Sequence, residues 1–181
     1  MTSTSETQFD PAALDEVRGR VGEMLEGRPD GRGRRIGLAC ARFNGGITLR
    51  LLEGALKALS EAGVDRADVS LAWAPGAFEL PLVARAFAGA SRPVDAVVTL
   101  GAVIRGDTGH YEVVAGECAR GVQDVQLSTG VPVVFGVLTT NTVEQALERS
   151  RRDETNKGRE AAFTALEMVS LLNQGSLVPP S

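Results

Sequence analysis

Aromatic side chains are scarce in this 181-residue chain, at 4% of the total, so its core has to be built from Val, Leu, Ile and Ala. That composition favours buried parallel strands covered by Ala-rich helices. Histidine is scarcer still, with one residue, and there are two cysteines; a Cys/His metal cluster and a disulfide framework are both disfavoured. Cys40 lies in an apolar strand-like run and Cys118 on an apolar helical stripe, so both read as buried, reduced side chains suited to a cytoplasm. Positive charge is not in excess. The formal net charge is -4, which gives no broad electrostatic footprint for nucleic acid or an anionic membrane. A long hydrophobic run is missing too: Met1 to Asp10 is polar, and the longest apolar stretch, Ala96 to Ile104, falls well short of a membrane span. The expectation is a cytoplasmic protein that binds neither nucleic acid nor membrane and holds any anion locally.

What the chain does contain is alternation. Short β-rich apolar runs at Ile36–Ala41, Val69–Ala74, Ala96–Leu100 and Val131–Val137 are separated by amphipathic helical stretches at Ile47–Ala62, Phe78–Ala88 and Tyr111–Leu127. Further helices are expected at Thr142–Ser150 and Gly158–Asn173. The βα unit repeated about four times predicts an α/β fold: a flavodoxin-like, four-stranded parallel sheet with helices on both faces, in three α/β/α layers. Gly63 is expected to close its helix as a left-handed cap, and Asn141 with Glu144 resembles a capping box. Ahead of this domain, placed at residues 35–173, residues 1–34 form an extension: a disordered tail, a helix opened by Asp10 and Pro11, and a Gly-Arg linker from Gly27 to Arg34. Ala13, Leu14, Val17, Val21, Met24 and Leu25 fall on one face of that helix. Residues 174–181 are a C-terminal tail.

In such sheets ligands bind beyond the carboxyl ends of the strands, so the loops there carry the functional argument. Arg42-Phe43-Asn44-Gly45-Gly46 lacks any dinucleotide or Walker fingerprint; Phe43 either caps the core or offers a flat face to a ring. In Pro75-Gly76-Ala77-Phe78-Glu79, the carboxylate either favours the next helix dipole or accepts hydrogen bonds from sugar-like hydroxyls. The segment Gly101 to Tyr111 is rich in glycine, allowing backbone N–H groups to converge on an anion at a helix N-terminus, with Thr108 adding a hydroxyl. His110, the one histidine, is the natural general acid/base if it faces a cleft. Arg149 and Lys157 read as solvated cations in isolation, but Arg is suited to bidentate phosphate binding and Lys to a point charge on a carbonyl or phosphate.

Taken together and in order, Arg42-Phe43-Asn44, Pro75-Gly76-Ala77-Phe78-Glu79, Gly101-Ala102-Val103-Ile104-Arg105-Gly106, Thr108-x-His110, Val133 to Thr140, Glu148-Arg149 and Asn156-Lys157-Gly158 resemble the 6,7-dimethyl-8-ribityllumazine synthase family. The resemblance runs from about Arg35 to Leu172. It implies a transferase of riboflavin biosynthesis that condenses 5-amino-6-(D-ribitylamino)uracil with 3,4-dihydroxy-2-butanone 4-phosphate, using neither metal nor redox cofactor. By the same resemblance, Phe43, Asn44, Ala77, Phe78, Glu79, Ala102, Val103 and Ile104 hold the ribityl pyrimidine, with Phe135 and Lys157 as further ring contacts. Asp107, mainly through its backbone, Thr108 and Arg149 hold the butanone phosphate, and His110 moves protons. The resemblance also implies a homo-oligomer, pentameric and often a 60-subunit icosahedral shell, in which Phe135, Arg149 and Lys157 come from a neighbouring subunit. Riboflavin synthase is a candidate partner. Ser150-Arg151-Arg152-Asp153-Glu154-Thr155 replaces the family's common glycine-rich stretch, a difference that bears on assembly rather than on the catalytic positions. The alternative function is a non-catalytic flavin- or lumazine-binding or shell-forming protein of the same fold, which would not need His110 or Arg149.

Overall fold

The computed structural model describes residues 11–175 and 177. Four strands, β1 (Ile36–Ala41), β2 (Val69–Ala74), β3 (Ala96–Ile104) and β4 (Val133–Thr140), form one sheet in the order β2-β1-β3-β4. Every pairing is parallel. Six helices accompany it: α1 (Pro11–Arg18), α2 (Gly45–Glu61), α3 (Leu80–Ala88), α4 (His110–Thr129), α5 (Val143–Arg149) and α6 (Lys157–Leu172). The flavodoxin-like, three-layer expectation holds.

Strand alternation divides the core in two. Ile36, Leu38, Cys40, Val98 and Leu100 point to the side covered by α2 and α6, where Leu51, Leu59 and Leu166 are fully buried. Ala39, Ala41 and Val97 point to the other side, against Leu80 and Ala84 of α3 and Cys118 and Val122 of α4. Each fully buried Leu contributes about 1.5–3 kcal/mol. Burial also pushes the Cys40 thiol up to about 12 and the Cys118 thiol to about 11, so neither supplies a thiolate at neutral pH. The edge strand β2 leaves Leu71 and Trp73 partly exposed.

Several local expectations shift. Strand β3 continues past Leu100 to Ile104, because Gly101–Ile104 pair in register with Val137–Thr140. Gly101 is therefore a packing glycine: a Cβ there would lie 3.1 Å from the Ala41 Cβ. The strand expected at Val131–Val137 begins two residues later and runs on to Thr140. A 3-10 turn, Ala77–Glu79, precedes α3. The cap of α5 is Thr142, whose side chain accepts from the Gln145 N–H, rather than Asn141 with Glu144. Gly63, at φ 88, ends α2 as expected.

Helix α1 stops at Arg18, so Val21, Met24 and Leu25 do not continue its face. Gly19 and Gly22 are poor helix formers, and Val17 and Val21 stay about half exposed, leaving no burial to extend the helix. Asp10, its expected cap, and Met1 to Phe9 lie outside the described residues. The Gly27–Arg34 stretch is laid against the domain: the Gly31 N–H donates to Ala62 O at 2.9 Å, and a Cβ on Gly27 would strike the Glu167 backbone.

Helices α2 and α6 touch backbone to backbone at Gly158, where a Cβ would collide with the Leu51 carbonyl. Beside it the buried Asn156 caps α6 through Oδ1, which accepts from Gly158 N at 2.8 Å and Arg159 N at 3.2 Å. Its Nδ2 donates to Arg50 O and Arg151 O. Replacing Gly158 by Ala tests this contact by sign. Ala is the better helix former by up to about 1 kcal/mol, whereas forcing the helices apart costs about 1–3 kcal/mol. Destabilisation is expected in urea denaturation; an equal or higher midpoint would show that the helices do not cross at this point.

Candidate active site

The first cleft lies where the strand order reverses. Chain connections run from β1 outward to β2, then back across β1 to β3 and on to β4, so the carboxyl ends of β1 and β3 flank a crevice that no connecting loop crosses. The cleft measures about 640 Å³.

Its wall after β1 is Phe43 and Asn44. Asn44 sits in the left-handed region at φ 56, a conformation Asn tolerates better than most residues, and its Nδ2 donates to Ala102 O at 2.9 Å. That bond ties the β1 exit to β3 and leaves Phe43 71% exposed at the rim, which removes the core-capping reading. After β2, the 3-10 turn brings Ala77, Phe78 and Glu79 to the cleft. Glu79 Oε2 accepts the Gly76 N–H at 3.0 Å, so the carboxylate has a local structural bond as well as its place in the wall.

From β3 come Ala102, Val103 and Ile104, then Gly106 and Thr108 of the following loop, and His110 at the start of α4. Gly109 caps that helix with no side chain, so the first N–H groups of α4 have no side-chain acceptor from the cap. His110 is exposed. Asp107, in the same loop, lies between the lining residues Gly106 and Thr108 but does not itself line the cleft.

Phe135, Arg149 and Lys157 do not join this group. They line a second cleft of about 400 Å³ beside β4, whose outer edge has no strand partner among the described residues. Arg149 ends α5, with Nη1 donating to Gln145 O at 3.2 Å. Lys157 opens α6 and pairs with Glu160. The two clefts differ in charge: the first has no Lys or Arg in its lining, and the second has two cations beside one carboxylate.

Residues missed from the sequence are helix-borne. Tyr111, Val113 and Val114 extend the first cleft along α4, and Glu160 and Thr164 extend the second along α6. Their signal was helical spacing: Val113 and Val114 stand three and four residues after His110, and Glu160 three after Lys157, where side chains share a face. Among the described residues no three His, Cys, Asp or Glu side chains come together as a metal site, and no helix is long and apolar enough to cross a membrane.

The sequence has counterparts among known proteins. The family pattern described as 6,7-dimethyl-8-ribityllumazine synthase matches residues 33–173. A relative named 6,7-dimethyl-8-ribityllumazine synthase from Syntrophus aciditrophicus (strain SB) is 52% identical over 151 residues, covering 83% of this chain and 97% of its own length. Relatives of the same name from two strains of Thermus thermophilus are each 57% identical over 142 residues, covering 78% of this chain and 89% of theirs. On this match, together with the parallel sheet and the cleft at its strand reversal, the chain belongs to the 6,7-dimethyl-8-ribityllumazine synthase family.

Proposed function

We propose that this protein condenses 5-amino-6-(D-ribitylamino)uracil with 3,4-dihydroxy-2-butanone 4-phosphate to give 6,7-dimethyl-8-ribityllumazine, the penultimate step of riboflavin biosynthesis, as a cytoplasmic transferase. Residues 35–173 carry the activity, with 1–34 and 174–181 as extensions. Phe43 stacks on the pyrimidine, Asn44, Ala77, Phe78 and Glu79 hold its ring edge and ribityl chain, and Ala102, Val103 and Ile104 form the apolar floor. Thr108 and the Asp107 backbone receive the phosphorylated ketone.

The single observation that carries the reading is the division of charge. A phosphate dianion in a cleft without a cationic side chain needs a partner for its charge, and Arg149 and Lys157 stand on a different surface of the same chain. One copy's β4 edge set against the next copy's first cleft supplies them, with Phe135 as a second ring contact. We place the assembly at a pentameric ring, as in the family.

Amine attack on the ketone, imine formation with loss of one water, phosphate departure and ring closure with loss of a second water each move a proton. His110, at the rim and next to the loop that receives the ketone, serves as the general acid/base. Holding both substrates in one site lowers the barrier further by proximity.

Mixing the two substrates with the protein and following lumazine absorbance tests the assignment. Tight binding of a lumazine without turnover would instead support the non-catalytic alternative. His110→Ala is expected to slow turnover by about 10²-fold, the low end of acid/base effects, since proximity remains; unchanged turnover at saturation would remove His110 from the mechanism. Arg149→Ala is expected to raise KM for the phosphorylated ketone far more than for the ribityl pyrimidine, because only the former presents a dianion. Equal losses would assign Arg149 to folding or assembly. Finally, an oligomer mixed at random from His110→Ala and Arg149→Ala chains should regain activity in about one site in four. A shared site draws each group independently from two chains. A mixed assembly no faster than the better parent would sink the shared site.

A further inference from the structure

We propose that Arg105 is a positioning residue: a brace outside both clefts that holds the phosphate-receiving loop and the His110 turn against the β4 exit. The proposal deepens the reading above and rests on it.

Arg105 follows the last residue of β3, and its side chain reaches in two directions. Toward α4, its guanidinium pairs with Glu112 and lies 4.1 Å from the centroid of the Tyr111 ring, within range of a cation–π contact. Toward β4, Nε donates to Asn141 Oδ1 at 3.0 Å, and the backbone N–H donates to Thr140 O at 2.9 Å. The guanidinium hydrogen bond holds the Glu112 carboxyl below the usual carboxylate range, so the pair is ionised at neutral pH. Arg105 thus staples the two ends of the segment 106–109 together. Tyr111 and Glu112, which it grips, immediately follow His110.

The loop needs such a staple. It contains Gly106 and Gly109, and α4 begins without a side-chain cap, so its own chemistry sets its course weakly. The brace also continues to the second cleft. The Asn141 N–H donates to Gln145 Oε1 at 2.9 Å, the Gln145 N–H donates to Thr142 Oγ1 at 3.2 Å, and Gln145 O accepts from Arg149 Nη1. One connected set of hydrogen bonds therefore runs from the His110 turn to the Arg149 guanidinium.

Arg105 lines neither cleft, so it acts through other groups. The pair is also substantially exposed, 44% for Arg105 and 56% for Glu112; exposed pairs add little to stability. A positional role and a stability role therefore predict different results. A displacement of about 1 Å in a reactant-holding loop can cost up to about 10²-fold in rate, while the unfolding midpoint barely moves.

The test uses the full chain with Arg105→Met, which keeps the stem and removes the guanidinium, and with Glu112→Gln. Amide hydrogen exchange over residues 106–112 is expected to quicken about tenfold in Arg105→Met, with the urea midpoint close to wild type. In the condensation assay, kcat/KM for the phosphorylated ketone is expected to fall about tenfold, with KM for the ribityl pyrimidine unchanged. Glu112→Gln should move both readouts the same way by less. Unchanged exchange overturns the brace. So does an equal loss for both substrates with a lowered midpoint, which marks a purely structural residue. Improved use of the phosphorylated ketone by Glu112→Gln overturns it in favour of direct phosphate contact by Arg105. If the wild-type protein makes no lumazine, the proposed function fails while the exchange measurement, which needs no substrate, still decides the brace.

Discussion

Parallel strands can be joined only by crossovers, and those crossovers are right-handed. Because β2 lies on one side of β1 and β3 on the other, α2 must pass over one face of the sheet while α3 and α4 pass over the opposite face. The connecting loops then diverge at β1 and β3. Phe43 and Asn44 leave on one side and Ala102 to His110 on the other, and the crevice between them is the first cleft. Neither loop needs special chemistry to open it. The handedness rule opens it, and the Asn44 side chain, bonded to Ala102 O, keeps its edges in register.

Among the described residues the same sheet leaves β4 at its edge, and the second cleft forms there. Its cations reach it from helix ends: Arg149 from the last residue of α5 and Lys157 from the first of α6. Both depend on the α2–α6 crossing, since Asn156 caps α6 and also grips the Arg50 and Arg151 carbonyls. The link between α2 and the α5–α6 turn is reinforced at the surface, where Arg152 pairs with Glu53, and Lys57 and Arg159 both reach Glu154. The exposed pairs, Arg152 with Glu53 and Lys57 with Glu154, are individually weak, and the buried Asn156 with the Gly158 contact sets the geometry. The cations thus stand along one edge of the sheet, while the first cleft, without Lys or Arg, lies at the strand ends.

Much of this is legible in the amino-acid sequence. The runs at Ile36–Ala41 and Val69–Ala74 match their strands residue for residue, because both end in abrupt changes of composition. Where the reading slipped, local pattern competed with long-range pairing. Gly101 looks like the start of a loop, yet β3 continues through it because β4 offers a matching ladder and Ala41 needs the space. Val21, Met24 and Leu25 carry helical spacing, but Gly19 and Gly22 interrupt it and Val21 stays exposed. Gly27 and Gly31 suggest a free linker, whereas their missing side chains are what let the segment lie against α6 and the end of α2.

The amino-acid sequence by itself determined the alternating βα order, the parallel sheet, the two-sided core of small aliphatic residues, and the identity of the loops that hold chemical groups. Those properties follow from composition and periodicity over neighbouring residues. Only the tertiary structure decided which groups stand together: that Phe43, Glu79 and His110 share one cleft, that Phe135, Arg149 and Lys157 share another, and that Arg105 grips Tyr111, Glu112 and Asn141 at once. The physical reason is distance along the chain. Such neighbours are brought together by crossover handedness and by side-chain contacts between elements far apart in sequence, and no local pattern records them.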